Sequence, residues 1–300
     1  LKRNINLRAL ALMAASGASI IYGANHTIAK GLMPDVIRPH AFILLRVTGA
    51  ALLFWLIAQF FPKERLKKKD RLLFLWCALF GMSINMTSFF KGLELSTPIN
   101  SSVVITLVPV ILLVLGRIFL KERISALKAT GIFIGLAGAI GLVLLDVQTQ
   151  TNAPNIPLGN IYFMLNALSY SIYLILVKPL THQYHAITLM KYFFLIAVFL
   201  NIPLGYQEFT EVAWTSLDFD VIGQLSFVVV ATTVLTYLFN IFALKQLSPS
   251  TIGAFIYLQP IIATIVAVAS GADHLNAVRI FAALFIFAGV YLSSRKPLRA

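Results

Sequence analysis

Apolar residues follow one another in long runs broken by short polar stretches, from near Leu10 to near Ser294. The runs last roughly 17 to 25 residues, the length a helix needs to cross a hydrocarbon layer of ~30 Å. They are too long and too evenly apolar for the alternation of barrel strands, and backbone groups in lipid must be paired within their own segment. The pattern therefore predicts helices. Ten spans are expected, at 10–30, 41–61, 72–90, 99–119 and 126–145, then 159–179, 187–205, 221–243, 250–270 and 276–294. From Asp146 to Pro157 the pattern lapses into turn chemistry, with Asn152, Pro154 and Asn155, so the chain is expected to divide there into halves 1–149 and 150–300.

One pattern is written twice: Pro98, Pro109, Glu122 and Gly138 recur as Pro249, Pro260, Asp273 and Gly289, each 151 residues further on. With five helices per half, an odd number, the second half is inverted. The expected fold class is all-α integral membrane, ten transmembrane helices as two inverted five-helix repeats. Two matched bundles of opposite orientation can exchange conformations and expose a midplane site to each side in turn.

Composition agrees about the solvent: 59% of residues are hydrophobic, 12% are charged and the mean hydropathy is +0.87. The net charge of +13 would suit a nucleic acid, but the bases hug the ends of the apolar runs. With the N-terminus in the cytoplasm, the group from Lys63 to Arg71, the run Lys121, Arg123 and Lys128, and Arg295, Lys296 and Arg299 share that side, whereas Glu208, Glu211, Asp218 and Asp220 fall outside. This bias places both termini in the cytoplasm, in the cell (inner or plasma) membrane, with the lipid bilayer rather than nucleic acid as partner. The first run, after Lys2, Arg3 and Arg8, reads as a retained helix, and the single cysteine, Cys77, allows no internal disulfide.

Tyr22-Gly23-Ala24-Asn25 with Lys30, then Pro39, Phe42 and Arg46, lead to a stronger stretch from Phe90 through Leu95, Ser96, Pro98, Pro109 and Glu122 to Gly131, Gly135, Gly138 and Gly141. Its counterpart runs from Phe242 through Leu247, Ser248, Pro249 and Pro260 to Asp273 and Gly289. Over nearly its whole length the chain resembles the EamA family of the drug/metabolite transporter superfamily, with Asp273 where that family usually shows Glu. The resemblance implies a ten-helix bundle that moves small metabolites, amino acids and related compounds recurring among them, often outward. A flippase for lipid-linked substrates is the alternative within the superfamily.

Polar residues recur at helical spacing inside several runs and are the candidate substrate-binding set. They are Tyr22 and Asn25; Asn85 and Ser88; Ser102 and Thr106; Asn166, Tyr170 and Tyr173; Thr236, Tyr237 and Asn240; and Tyr257, with Ser19, Thr233 and Gln259 on the same stripes. Against this, Ser and Thr in membrane helices commonly bond their own backbone, and a Tyr near a run's end anchors in the interface. Arg46 and Lys191, near run starts, read as snorkelling anchors, and Pro109 and Pro260 as helix-bending residues. For proton coupling the candidates are His26 and Glu94, with facilitated diffusion or exchange an equal expectation. No GxxxxGK[ST] loop is present, and no cofactor or metal is expected, because His26, His40, His182, His185 and His274 are scattered. An integral-membrane enzyme is the remaining alternative class and lacks clustered carboxylates or histidines. The partner expected is a small-molecule substrate, the chain acting as a monomer or homodimer.

Overall fold

The computed structural model describes residues 6–96, 101, 104–144, 153–269 and 277–294, and within them the chain is all-α. Helix α1 (Leu7–Leu32) starts where Asn6 Oδ1 accepts the Ala9 N–H at 3.3 Å, satisfying a donor that every helix start leaves over. Helix α2 (Pro39–Phe60) opens with Pro39, and Glu208 Oε2 accepts the N–H groups of His40 (2.8 Å) and Ala41 (3.2 Å), placing a carboxylate at the positive end of its dipole. Helix α3 is Lys68–Leu95. The 12-residue helix α4 (Val108–Phe119) and the 19-residue helix α5 (Ala126–Leu144) follow. After them come α6 (Ile156–His182), α7 (Ala186–Glu211) and α8 (Phe219–Gln246). Asn155, expected in the linker, caps α6 by accepting the Leu158 N–H at 3.1 Å. The last two helices are α9 (249–269), broken in its middle by a tight turn at Phe255–Tyr257, and α10 (Ala277–Ser294).

The expectation of ten transmembrane helices in two inverted five-helix repeats is corrected here. Among the described residues six helices, α1, α2, α3, α6, α7 and α8, are long and apolar enough to span a membrane. The other apolar stretches, Val108–Phe119, Ala126–Gly138 and Leu284–Ser293, are shorter. Twelve residues rise only ~18 Å, against ~30 Å of hydrocarbon. Hydropathy runs do not register backbone breaks: Thr106 and Leu107 turn just before Pro109, and the tight turn at Phe255–Tyr257 precedes Pro260. A proline ring excludes the preceding turn's hydrogen bond, so each expected span divides there. The inversion argument needed five spans per half and falls with the count. Pro98 and Asp273, two members of the doubled pattern, lie outside the described residues.

Helices from the two halves interleave. Helix α2 lies along α7, α3 along α6, α1 along α8 and α9, and α5 along α10. Phe42, Phe54, Phe74, Phe90, Phe163, Phe193 and Phe194 fill the space between them. Phe60, Phe119 and Phe219, the last 87% exposed, point outward, where lipid rather than water is the natural solvent. Helices α5 and α10 meet at Gly131, Gly135 and Gly289, where backbones nearly touch.

Two local features recur at the offset of the sequence pattern. Helices α3 and α8 each loosen into one π turn, Leu79–Ile84 and Val230–Leu235, 151 residues apart. A π turn displaces backbone carbonyls from the regular ladder, and side chains take them up. Ser169 Oγ donates to Phe80 O (2.7 Å), Tyr237 OH to Gly81 O (2.7 Å) and Thr233 Oγ1 to Val228 O (2.7 Å). The carbonyls that end the two helices repeat at the same offset and each set takes a lysine, although the lysines are 148 residues apart. Lys30 Nζ donates to Leu93 O (2.7 Å) and Ser96 O (3.1 Å) at the end of α3. Lys178 Nζ does so to Leu244 O and Leu247 O (2.9 Å) past the end of α8. A cation on the last carbonyls of a helix meets the negative end of its dipole.

In the first turn of α3, the Tyr184 hydroxyl donates to Asp70 Oδ2 at 2.6 Å, and Asp70 is buried. Burial raises the Tyr184 phenol above its ordinary range, and the bond to Asp70 adds to that, so the proton stays on the phenol. Replacing Tyr184 by Phe leaves a buried carboxylate short of a donor, and a loss of about 1–3 kcal/mol is expected. Unfolding of the purified variant in detergent checks it; an unchanged transition would mean that Asp70 is hydrated there.

Candidate functional site

A cavity lies among α1, α2, α3, α4, α6, α8 and α9. Its polar lining consists of Tyr22, Asn25 and His26 from α1, Arg46 from α2, Asn85 from α3, Asn166 and Tyr170 from α6, Tyr237 from α8 and Gln259 from α9. Met86, Phe89, Phe90, Ile105, Val108 and Ile256 supply the apolar remainder. Such a mixture, mostly apolar and aromatic with a few convergent polar groups, is the ordinary composition of a small-molecule site.

Most of the polar lining is held in place by neighbours. Asn85 and Asn166 bind each other's backbone reciprocally, Asn166 Nδ2 to Asn85 O at 2.8 Å and Asn85 Nδ2 to Asn166 O at 3.4 Å, which staples α3 to α6. His26 bridges the Ser101 hydroxyl, 2.8 Å from Nδ1, and Gln259 Oε1, 3.1 Å from Nε2. Because Gln259 Oε1 only accepts, Nε2 carries the proton and Ser101 donates to Nδ1. Phe89 packs edge-on against the imidazole at 5.2 Å. Asn240 donates to the Tyr170 hydroxyl at 3.0 Å. Asn25 is the exception: it is 3% exposed, it lines the cavity, and its Oδ1 is buried with no hydrogen-bond partner. An acceptor left over in that place costs free energy unless something supplies a proton.

Of the residues expected from sequence, Tyr22, Asn25, His26, Asn85, Asn166, Tyr170 and Tyr237 meet at this cavity. Asn240 stands behind it, orienting Tyr170. Thr236 donates to Thr232 O (2.6 Å), the backbone bond typical of a membrane threonine, and Ser88 and Thr106 are buried away from the lining. Tyr173 is buried beside Gly81, where any β-carbon would strike its ring, and Tyr257 is buried against Gly135. Neither lines the cavity, and both hydroxyls are buried without a partner. Glu94 pairs with Lys91 at 3.0 Å near the end of α3, away from the cavity. Ser102 lies outside the described residues.

Arg46 is the residue misread. It is 4% exposed and lines the cavity instead of snorkelling to an interface. Its Nε donates to Thr233 Oγ1 at 2.9 Å and its guanidinium sits 5.0 Å from the Phe90 ring centre. Among the described residues no group of three or more His, Cys, Asp or Glu could hold a metal ion.

Six long apolar helices, five of which wall a polar and aromatic cavity, describe a multi-pass membrane protein. The EamA-like transporter family matches residues 9–144 and again 157–295, and the chain belongs to that family. It is 23% identical over 281 residues to YyaM, an uncharacterized transporter of Bacillus subtilis, covering 93% of this chain and 91% of that one. It is 27% identical over 262 residues to an uncharacterized transporter of Archaeoglobus fulgidus, covering 87% and 90%. A WAT1-related protein of Arabidopsis thaliana shares 22% over 301 residues, covering 90% and 81%. A solved crystal structure superposes with a TM-score of 0.75 over 94% of this chain and 95% of that one at 16% identity, which shows a shared fold. The protein is a membrane transporter of the drug/metabolite kind.

Proposed function

We propose that the protein exports a small metabolite, an amino acid or a related compound, across the cell membrane by alternating access, with the central cavity as its binding site. The single observation that carries this reading is the unpartnered Asn25 Oδ1 in a cavity most of whose other polar side chains are tied to the frame. Tyr22, Asn25, Asn85, Asn166, Tyr170 and Tyr237 contact the substrate, and Asn240 orients Tyr170. Segments 1–149 and 150–300 are two related units interleaved in space, a reading supported by the π turns and lysine caps that repeat between them. The six long helices among the described residues are an even number, which favours both termini on one side. The basic turn Lys63–Arg71 favours the cytoplasm for that side. Transport needs no proton in this reading: both nitrogens of His26 are engaged and Glu94 is paired. Exchange of labelled amino acids and related metabolites in proteoliposomes tests it. Saturable exchange without an imposed pH gradient supports the reading, and exchange that requires the gradient removes the uncoupled mechanism.

Alternating access requires contacts at the two ends of the cavity to break in turn. At the end where α8 finishes, Glu122 Oε2 takes Lys128 Nζ (3.1 Å) and the Ser250 hydroxyl, while Lys128 Nζ also reaches Ser248 Oγ (2.7 Å). Glu122 is aimed there by a tight turn, its N–H returning to Gly116 O at 3.0 Å and Lys121 taking the left-handed conformation (φ 52°). This knot joins the α4–α5 turn to the start of α9 and acts as a latch. Glu122→Gln keeps its shape and removes its charge. Labelling from that side of a cysteine replacing Ile256 on the cavity wall is expected to quicken about tenfold, the effect of ~1.4 kcal/mol on an open–closed equilibrium. An unchanged rate would make the knot a static fastening.

A further inference from the structure

Resting on the central cavity being the substrate site, we infer that Arg46 selects the substrate's charge: the carrier takes molecules bearing a carboxylate or comparable oxyanion, and Arg46 grips that group.

The argument begins with the cost of the residue. Arg46 lies seven residues into α2, about two turns from the helix start, and a guanidinium at that depth is expensive unless neutralised or used. Other buried or half-buried cations have found acceptors: Lys128 has Glu122, and Lys30 and Lys178 have the carbonyls that end α3 and α8. Arg46 has a hydroxyl on one nitrogen and an aromatic face. The ion pairs among the described residues are Arg38–Glu211, Lys91–Glu94 and Lys128–Glu122, and none includes it. Among the described residues the cavity wall holds no Asp or Glu, so this cation sets its charge.

The surroundings also fix its aim. Thr233, itself donating to Val228 O in the π turn of α8, anchors Nε, and Phe90 holds the guanidinium plane, so rotation is restricted while the group faces the cavity. A guanidinium carries five N–H donors in a rigid fork that matches an oxyanion bidentately, and one donor is spent on Thr233. Asn25 Oδ1 supplies the complementary acceptor for an N–H or O–H of the same ligand. Tyr22, Phe89 and Tyr170 offer its apolar part an aromatic wall.

Competition in proteoliposomes containing the full chain tests the inference, with four probes of one body: L-phenylalanine, 3-phenylpropanoate, L-phenylalaninamide and phenethylamine. The two carboxylates are expected to compete with the exchanged metabolite at least about tenfold better than the amide and the amine, the scale of one charge-assisted hydrogen bond. In Arg46→Gln that preference is expected to shrink to about twofold or less, and in Arg46→Lys to survive in part. The wild-type comparison needs no variant, so a misfolded Arg46→Gln would leave the test intact. Amide or amine competing as well as the carboxylates, or a preference unchanged in Arg46→Gln, would overturn the charge-selecting role while leaving the transport reading in place. No saturable exchange of any metabolite by folded protein would overturn both.

Discussion

Gly289→Ala will destabilise the protein by about 3 kcal/mol or more, although alanine is the better helix former by about 1 kcal/mol. The two effects oppose each other, and geometry decides which wins. A β-carbon on Gly289 would sit 2.5 Å from Gly135 N, 2.6 Å from Gly131 O and 2.6 Å from Gly135 Cα. All three are backbone atoms, which cannot swing aside as a side-chain tip can, so α5 and α10 must separate along their length. Gly31→Ala is the control: a β-carbon there meets nothing within 4 Å, so only the helix preference acts, and a small gain is expected. Thermal unfolding of the two variants in the same detergent checks the pair. Similar transitions for both would mean that α5 and α10 pack more loosely than described.

The second large effect concerns transport, and it runs opposite to stability. Asn25→Leu removes a buried acceptor that has no partner, so folded protein should be as stable as the wild type or more so by about 1 kcal/mol. Exchange activity should nevertheless fall about ten- to a hundredfold, because the substrate loses its hydrogen bond and meets an apolar wall. A residue that costs stability and supports activity is what a binding site looks like energetically. Asn166→Leu would lose both, since Asn166 also staples α6 to α3 through Asn85. If Asn25→Leu left exchange intact, Asn25 would be a packing residue and the cavity's polar face would lie elsewhere.

Much of the site was readable as periodicity. Asn and Tyr are costly to bury in a membrane helix, so Tyr22 with Asn25, and Asn166 with Tyr170, announced their helix faces by spacing alone, and the structure turns those faces to one cavity. Spacing did not reveal the π turn at Leu79–Ile84, which leaves Gly81 beside Tyr173 and buries that ring next to the cavity instead of in its wall. Thr236 shared a stripe with Tyr237 but satisfied itself on its own helix. Arg46 was misplaced because its depth depends on where α2 begins: counted from the apolar run it sits near an end, but the helix starts at Pro39. Two of the four spans that did not appear, 99–119 and 250–270, failed for a related reason, since hydropathy averages over Pro109 and Pro260 while the backbone breaks before them.

The central claim is that this cavity is reached from one side of the membrane and then from the other. With the single native thiol removed by Cys77→Ala, a cysteine replacing Met86 on the apolar part of the cavity wall can be probed in proteoliposomes with a membrane-impermeant thiol reagent, applied outside or enclosed within. Labelling from each side, slowed in both cases by the exchanged metabolite, is the predicted result. Labelling from one side alone, or labelling that substrate leaves unchanged, would contradict it.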